Sequence, residues 1–223
     1  MNAEGLVFIE SATEDAVPFT TSEVIAEYAG VKRHAVQVLL EKHKEDFEMF
    51  GRVAFQMRPL PTKGGVQEHK IYLLNEEQAT LLITYLKNTP QVREFKKNLV
   101  RAFFLMREEL TMRKIKRASL KPVRRSMTDA IRDFVPDSPH KSMQYQNYTN
   151  LAYLTVTGMT AKAIRKVRGG GMKSNAADFL TSDELAGVER VSNHISILVE
   201  SGLRYDQVKR ILTQTHRFLG EKM

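Results

Sequence analysis

The stretch SEVIAEYAGVKRHAVQVLLEKH, Ser22 to His43, restricts the chain most. Its small and apolar residues fall where two short helices crossing at a steep angle need them. Ala26 takes the crossing point, where a larger side chain would hold the helices apart. Gly30, four positions on, takes a turn conformation that costs other residues energy. Ile25, Ala29, Val31, Val36 and Leu39 supply the surrounding apolar contacts. The spacing predicts a first helix, capped by Thr21 or Ser22, to about Tyr28, and a second from about Arg33 to Lys44. Ala35, Val36, Leu39 and Leu40 then face inward, which leaves Lys32, Arg33, His34, Gln37 and Lys44 on the outer face. The leading residues of such a second helix meet base edges and phosphates in a major groove, so double-stranded DNA is the expected partner.

Charge points the same way. The formal net charge is +8, yet residues 1–20 hold four acids and no base. From Arg93 to Arg125 twelve bases stand against three acids, so this window carries the whole excess. Clustered cations neutralise phosphates and release counterions, and Lys114, Lys116 and Arg117 are expected to add such sequence-independent affinity. A solvated helix face running into a charged linker is the alternative reading of the window.

In chain order, Leu6 to Ile9 reads as a strand and Ala16 to Thr20 as an extended segment, with the strand placed to pair with a hairpin further on. Phe50, Val53 and Phe55, then Ile71, Leu73 and Leu74, form two strand-like runs. Between them Pro59, Pro61, Gly64 and Gly65 supply turn chemistry. A hairpin directly after a helix-turn-helix is a wing, and Arg58, Lys63 and Lys70 are the cations it offers to backbone or minor groove. Asn75 and Gln78 have capping-box spacing before a helix with Ala79, Leu82, Ile83 and Leu86 inward. Thr89 and Pro90 start the next helix, where Val92, Phe95, Leu99, Val100, Ala102, Phe103, Met106 and Leu110 form a packing stripe.

The sequence from Thr21 to Val38, with Lys32-Arg33-His34 opening the second helix, then the hairpin, then LLNEEQATLLITYLKNTPQVREFKKNLVRAFFLM from Leu73 to Met106, resembles the Rha family of phage regulatory proteins. The resemblance covers roughly the first half of the chain and is most specific from Asn75 to Met106. It implies a phage or prophage regulator with an N-terminal DNA-binding fold, working in the cytoplasm of a bacterial host. Arg33-His34 matches the family's basic pair, whereas Ala35 departs from the polar residue expected next.

Past Lys114, bases alternate with Ala118, Ser119, Leu120 and Pro122, which predicts that the long helix ends before Pro122. The expected division is 1–117 for the winged domain, 118–126 for a basic linker and 127–223 for an all-helical domain, giving a mainly α fold with a small β-hairpin wing. Short helices are expected over Ser126 to Phe134, Tyr145 to Val156 and, capped by Thr160, to Val167. Gly169-Gly170-Gly171 before Met172-Lys173-Ser174 fails as a phosphate loop, since Met172 precedes the lysine and the upstream segment is helical, so it reads as a flexible connector. Thr181 and Glu184 form a second capping box, launching a helix to Gly202, and a last helix runs from Tyr205 to Phe218. The segment LTSDELAGVERVSNHISILVESGLRYDQVKRIL resembles the helical C-terminal region of Rha-type and antirepressor-type phage proteins. Its Ile195, Leu198, Leu203, Val208, Ile211 and Leu212 either bury themselves internally or form a homodimer, which suits a DNA binder.

Catalysis finds little support. The six histidines are scattered, with no pair at metalloprotease spacing, and there is no cysteine, so neither a metal nor a cofactor is expected. Apolar runs are too short to cross a bilayer, and the acidic start lacks a signal peptide's basic residues. Two function classes remain: a sequence-specific DNA-binding transcription regulator, and an antirepressor that binds another regulator through its helical surfaces.

Overall fold

The computed structural model describes residues 5–9, 16–62, 65–171 and 173–220. The chain divides into two compact units, the first ending at Glu108 and the second beginning at Glu109.

In the first unit, β1 (Phe8–Ile9) and β2 (Pro18–Thr21) lead into α1 (Ser22–Ala29), α2 (Arg33–Lys42) and α3 (Lys44–Glu48). The hairpin β3 (Ala54–Thr62) and β4 (Gly65–Asn75) follows, then α4 (Glu76–Tyr85) and the opening part of α5 (Pro90–Phe134). The described strands form one antiparallel sheet in the order β1-β2-β4-β3. It is β2, with Thr20 opposite Leu74, that pairs with the hairpin, while β1 pairs on the far side of β2. The strand expected to meet the hairpin is therefore one place removed from it.

The turn from α1 to α2 forms as its residues dictate. The Thr21 hydroxyl accepts from the Val24 amide at 3.2 Å. Gly30 closes α1 at φ +65°, in the left-handed region, and the Val31 amide reaches back to the Ala26 carbonyl at 3.0 Å. Ala26 is buried at the crossing, and Ile25, Val36 and Leu40 share one core with Phe47, Leu82, Phe95 and Phe103. Two expectations need correction. Ala35 is exposed, because the inward stripe of α2 is Val36 and Leu40, and Ala35 lies a hundred degrees round the helix from Val36. Lys44 does not belong to α2, which ends at Lys42; His43 and the buried Phe47 both pack on Tyr85 of α4, with ring centroids 4.7 and 5.9 Å away, and Lys44 opens α3.

Pro59 and Pro61 are in β3 itself, not in the turn. A strand at the edge of a sheet tolerates prolines two apart, since alternate amides there have no ladder partner. The ladder runs from Ala54 opposite Leu73 to Thr62 opposite Gly65; Lys63 and Gly64 between them lie outside the described residues. At the hairpin base the capping box forms as expected. The buried Gln78 side chain also donates to the Gly51 carbonyl at 2.8 Å, and Asn75 donates to the Phe50 carbonyl at 2.8 Å, tying the approach to β3 onto α4.

The second unit holds α5 from Glu109 onward, α6 (Lys141–Thr157), α7 (Ala161–Val167), a 3-10 turn (Ala176–Phe179), α8 (Ser182–Glu200) and α9 (Tyr205–Gly220). The expected linker at 118–126 is helix, continuous through Pro122 to Phe134. Leu120, Met127 and Ile131 are spaced seven and four apart, so one face of this segment is buried in the second core. The Ser119 hydroxyl donates to Glu189 at 2.9 Å. These contacts outweigh one forfeited backbone hydrogen bond, and the Pro122 ring is exposed. Ile195, Val208 and Leu212 are buried in the same core with Leu198 and Leu203 packed on it, whereas Ile211 of α9 and Ile197 of α8 are exposed.

Candidate nucleic-acid interface

The amino end of α2 is unusual for a helix start. Its cap residue, Lys32, makes no side-chain capping bond, and the first turn contains no acid. Lys32, Arg33 and His34 are all exposed there. Cations at the positive end of a helix dipole cost about 0.3–1 kcal/mol each, so local stability does not explain this sequence.

The hairpin is fastened to both helices. The Ser22 hydroxyl accepts from the Tyr72 amide at 3.0 Å, extending the β2–β4 ladder into α1. The Gln37 side-chain amide donates to the Lys70 carbonyl at 2.8 Å, and the Tyr72 hydroxyl donates to Glu41 at 3.1 Å. Burial and the bond to Glu41 push the Tyr72 phenol up to about 12. Gln37 is thus engaged in fixing α2 against β4. Lys44 is ion-paired with Glu48 at 3.3 Å and lies beyond the far end of α2.

Glu23, in the first turn of α1, gathers the cations of helix and hairpin. Its Oε1 is 3.3 Å from Arg33 Nη1 and 3.0 Å from His69 Nε2, and its Oε2 is 4.0 Å from Arg58 Nη1. His69 Nδ1 is 3.0 Å from the Arg58 carbonyl oxygen. Both ring nitrogens therefore face oxygen atoms, one of the carboxylate and one of the backbone. The carboxylate is recessed, with 24% of its side chain exposed, whereas Arg33 and Arg58 stand out at 56% and 59%. A first-turn acid reads locally as a helix-dipole residue, and nothing in the sequence links it to partners ten, 35 and 46 positions away.

The hairpin cations divide by face. Arg58 is opposite His69 and Met57 is opposite Lys70, and neighbours along a strand point to opposite faces, so Lys70 is on the face away from Arg58. There the Lys70 ammonium is 4.6 Å from the Phe55 ring centroid and 5.6 Å from that of Tyr72. Lys63 lies outside the described residues.

Much of the basic window is paired within the protein. Lys97 is bound to Glu94, Arg107 to Glu76, Arg113 to Glu109, and Arg124 to the Tyr153 hydroxyl. Lys114 is exposed and Lys116 half-buried, both in the second unit. Arg117 is turned inward, 11% exposed, with Nε 3.0 Å from Asp178. Among the described residues no group of three or more metal-ligating side chains occurs, and no helix is long and apolar enough to cross a membrane.

A search of the curated proteins returned no match. Residues 20–108 do match a family model, described as phage regulatory protein Rha. The match runs from β2 through the opening part of α5 and stops at Glu108, where the first unit stops; the second unit lies beyond it. The first unit is thus similar to the phage regulatory protein Rha family.

Proposed function

We propose that the first unit is a winged helix-turn-helix and that the chain is a phage or prophage transcription regulator that binds duplex DNA with α2 in the major groove. The amino end of α2 carries the reading: three exposed bases on a helix start without an acid or a capping side chain. A phosphate or base edge there would satisfy free amides and cationic side chains together. Arg33 is the base-reading residue, Lys32 and His34 its neighbours on base or phosphate, and Arg58 contacts backbone from the hairpin. Lys114 and Lys116 add general affinity. No catalysis is required.

A ten-residue helix is about 15 Å long, under half a turn of B-DNA. The proposal therefore includes a homodimer on two half-sites, in the cytoplasm of the bacterial host.

A salt titration of duplex binding by the full chain tests the reading. Steep salt dependence with at least a ~10³-fold preference for a selected site supports it. Weak, uniform binding favours the antirepressor alternative, in which the same surfaces engage another regulator.

A further inference from the structure

We propose that Glu23 is a specificity-determining residue for DNA binding: it presets Arg33 and Arg58 toward the duplex and holds down binding to unselected sequence. This rests on the DNA-binding reading of α2 given above and deepens it.

Arg33 of α2, Arg58 of β3 and the His69 ring of β4 converge on one recessed carboxylate. Arg33, with Nη1 3.3 Å from the fixed carboxylate, presents its remaining N–H groups in a set direction, and Arg58, at 4.0 Å, is drawn to the same point by charge. Less rotamer freedom is then lost when those groups meet a base or phosphate. Glu23 is itself anchored, in the first turn of a helix capped by Thr21 and bound through Ser22 to β4, so the direction is set by the fold. The carboxylate also repels any phosphate that approaches without matching the free edges of Arg33 and Arg58. Such repulsion weakens every complex a little and mismatched complexes most, which is how an unfavourable element creates discrimination.

The Glu23→Gln variant tests this, since Gln keeps the length and an acceptor oxygen but removes the charge. The probes are a duplex selected from a random pool by the wild-type chain and a scrambled duplex of the same composition. Binding of each is followed by fluorescence anisotropy across a salt series. The variant is expected to bind the scrambled duplex about five- to tenfold more tightly at low salt, with a log–log salt slope steeper by about 0.9, and to lose about tenfold in the ratio of selected to scrambled affinity. In an Arg33→Ala background the same change should move that ratio less than twofold. An unchanged slope and ratio would overturn the inference. So would a proportional loss of both affinities at unchanged slope together with a lowered thermal midpoint, the signature of a merely structural residue. If the wild type binds no duplex, the reading of α2 fails and takes this inference with it; wild-type binding with an indifferent Glu23→Gln sinks this inference alone.

Discussion

Replacing Pro122 by Ala distinguishes a helix from a linker by the sign of its effect. Pro122 is inside α5 with its ring exposed, so the substitution alters no packing and restores one backbone donor, the amide facing the Ala118 carbonyl. In a helix interior proline is about 3 kcal/mol worse than alanine. A gain of about 2–3 kcal/mol in the second unit is expected, a little less than the full figure because a helix relaxes around its proline. For a unit of this size that corresponds to a rise of roughly 8–12 °C in melting temperature. Were residues 118–126 a linker, the variant would only loosen the unfolded chain, and stability would fall by about 0.4–1 kcal/mol. Chemical and thermal denaturation followed by circular dichroism gives the sign. Limited trypsin digestion adds a second view: Arg124 and Arg125 should resist cleavage until the unit unfolds. A neutral or destabilising result, or early cleavage there, would refute the continuous helix.

Four further outcomes follow from the structure and the proposed function. Glu184 accepts from both Arg168 guanidinium nitrogens at 2.6 and 2.7 Å and from the Thr181 amide at 2.9 Å, so Glu184→Ala removes a capping box and leaves Arg168 only the Phe179 carbonyl, at a cost of about 2 kcal/mol by urea denaturation. Arg168 holds the Glu184 carboxyl below the ordinary carboxylate range, against burial; its contribution is present above pH 4.5, is lost as pH falls through the folded-state value, and should vanish in Glu184→Gln. Because the Tyr72 phenol is raised from 10.0 to about 12, its stabilisation holds below pH 10 and is lost as pH climbs to about 12, and phenolate absorbance in Glu41→Gln should appear at lower pH than in the wild type. Lys116→Ala should weaken all duplexes alike and flatten the salt slope by about 1; a sequence-dependent loss would contradict its assignment to phosphate.

Local chemistry was readable wherever the partners are close in sequence. Thr21, Gly30, Asn75 with Gln78, Thr160, and Thr181 with Glu184 all act where spacing places them. Pro122 misled because its cost is local and visible, whereas the burial of Leu120, Met127 and Ile131 that overrides it depends on a core assembled from distant segments. Gly170 reads as flexible, yet a side chain there would come within 2.7 Å of the Phe179 ring, a contact made by tertiary packing. The candidate site was legible as a cluster of cations but not as an arrangement. Arg33 and His34 are exposed as the pattern requires, while the inward turn of Arg117, the bond from Gln37 to Lys70 and the gathering role of Glu23 all depend on long-range contacts.

The most direct test of α2 as the reading head is a base-by-base scan of the selected duplex with Arg33→Ala beside the wild type. A bidentate contact predicts a loss of about 1–3 kcal/mol and relaxed preference at one base position, with the other positions read as before. Unchanged affinity and unchanged preference at every position would contradict it.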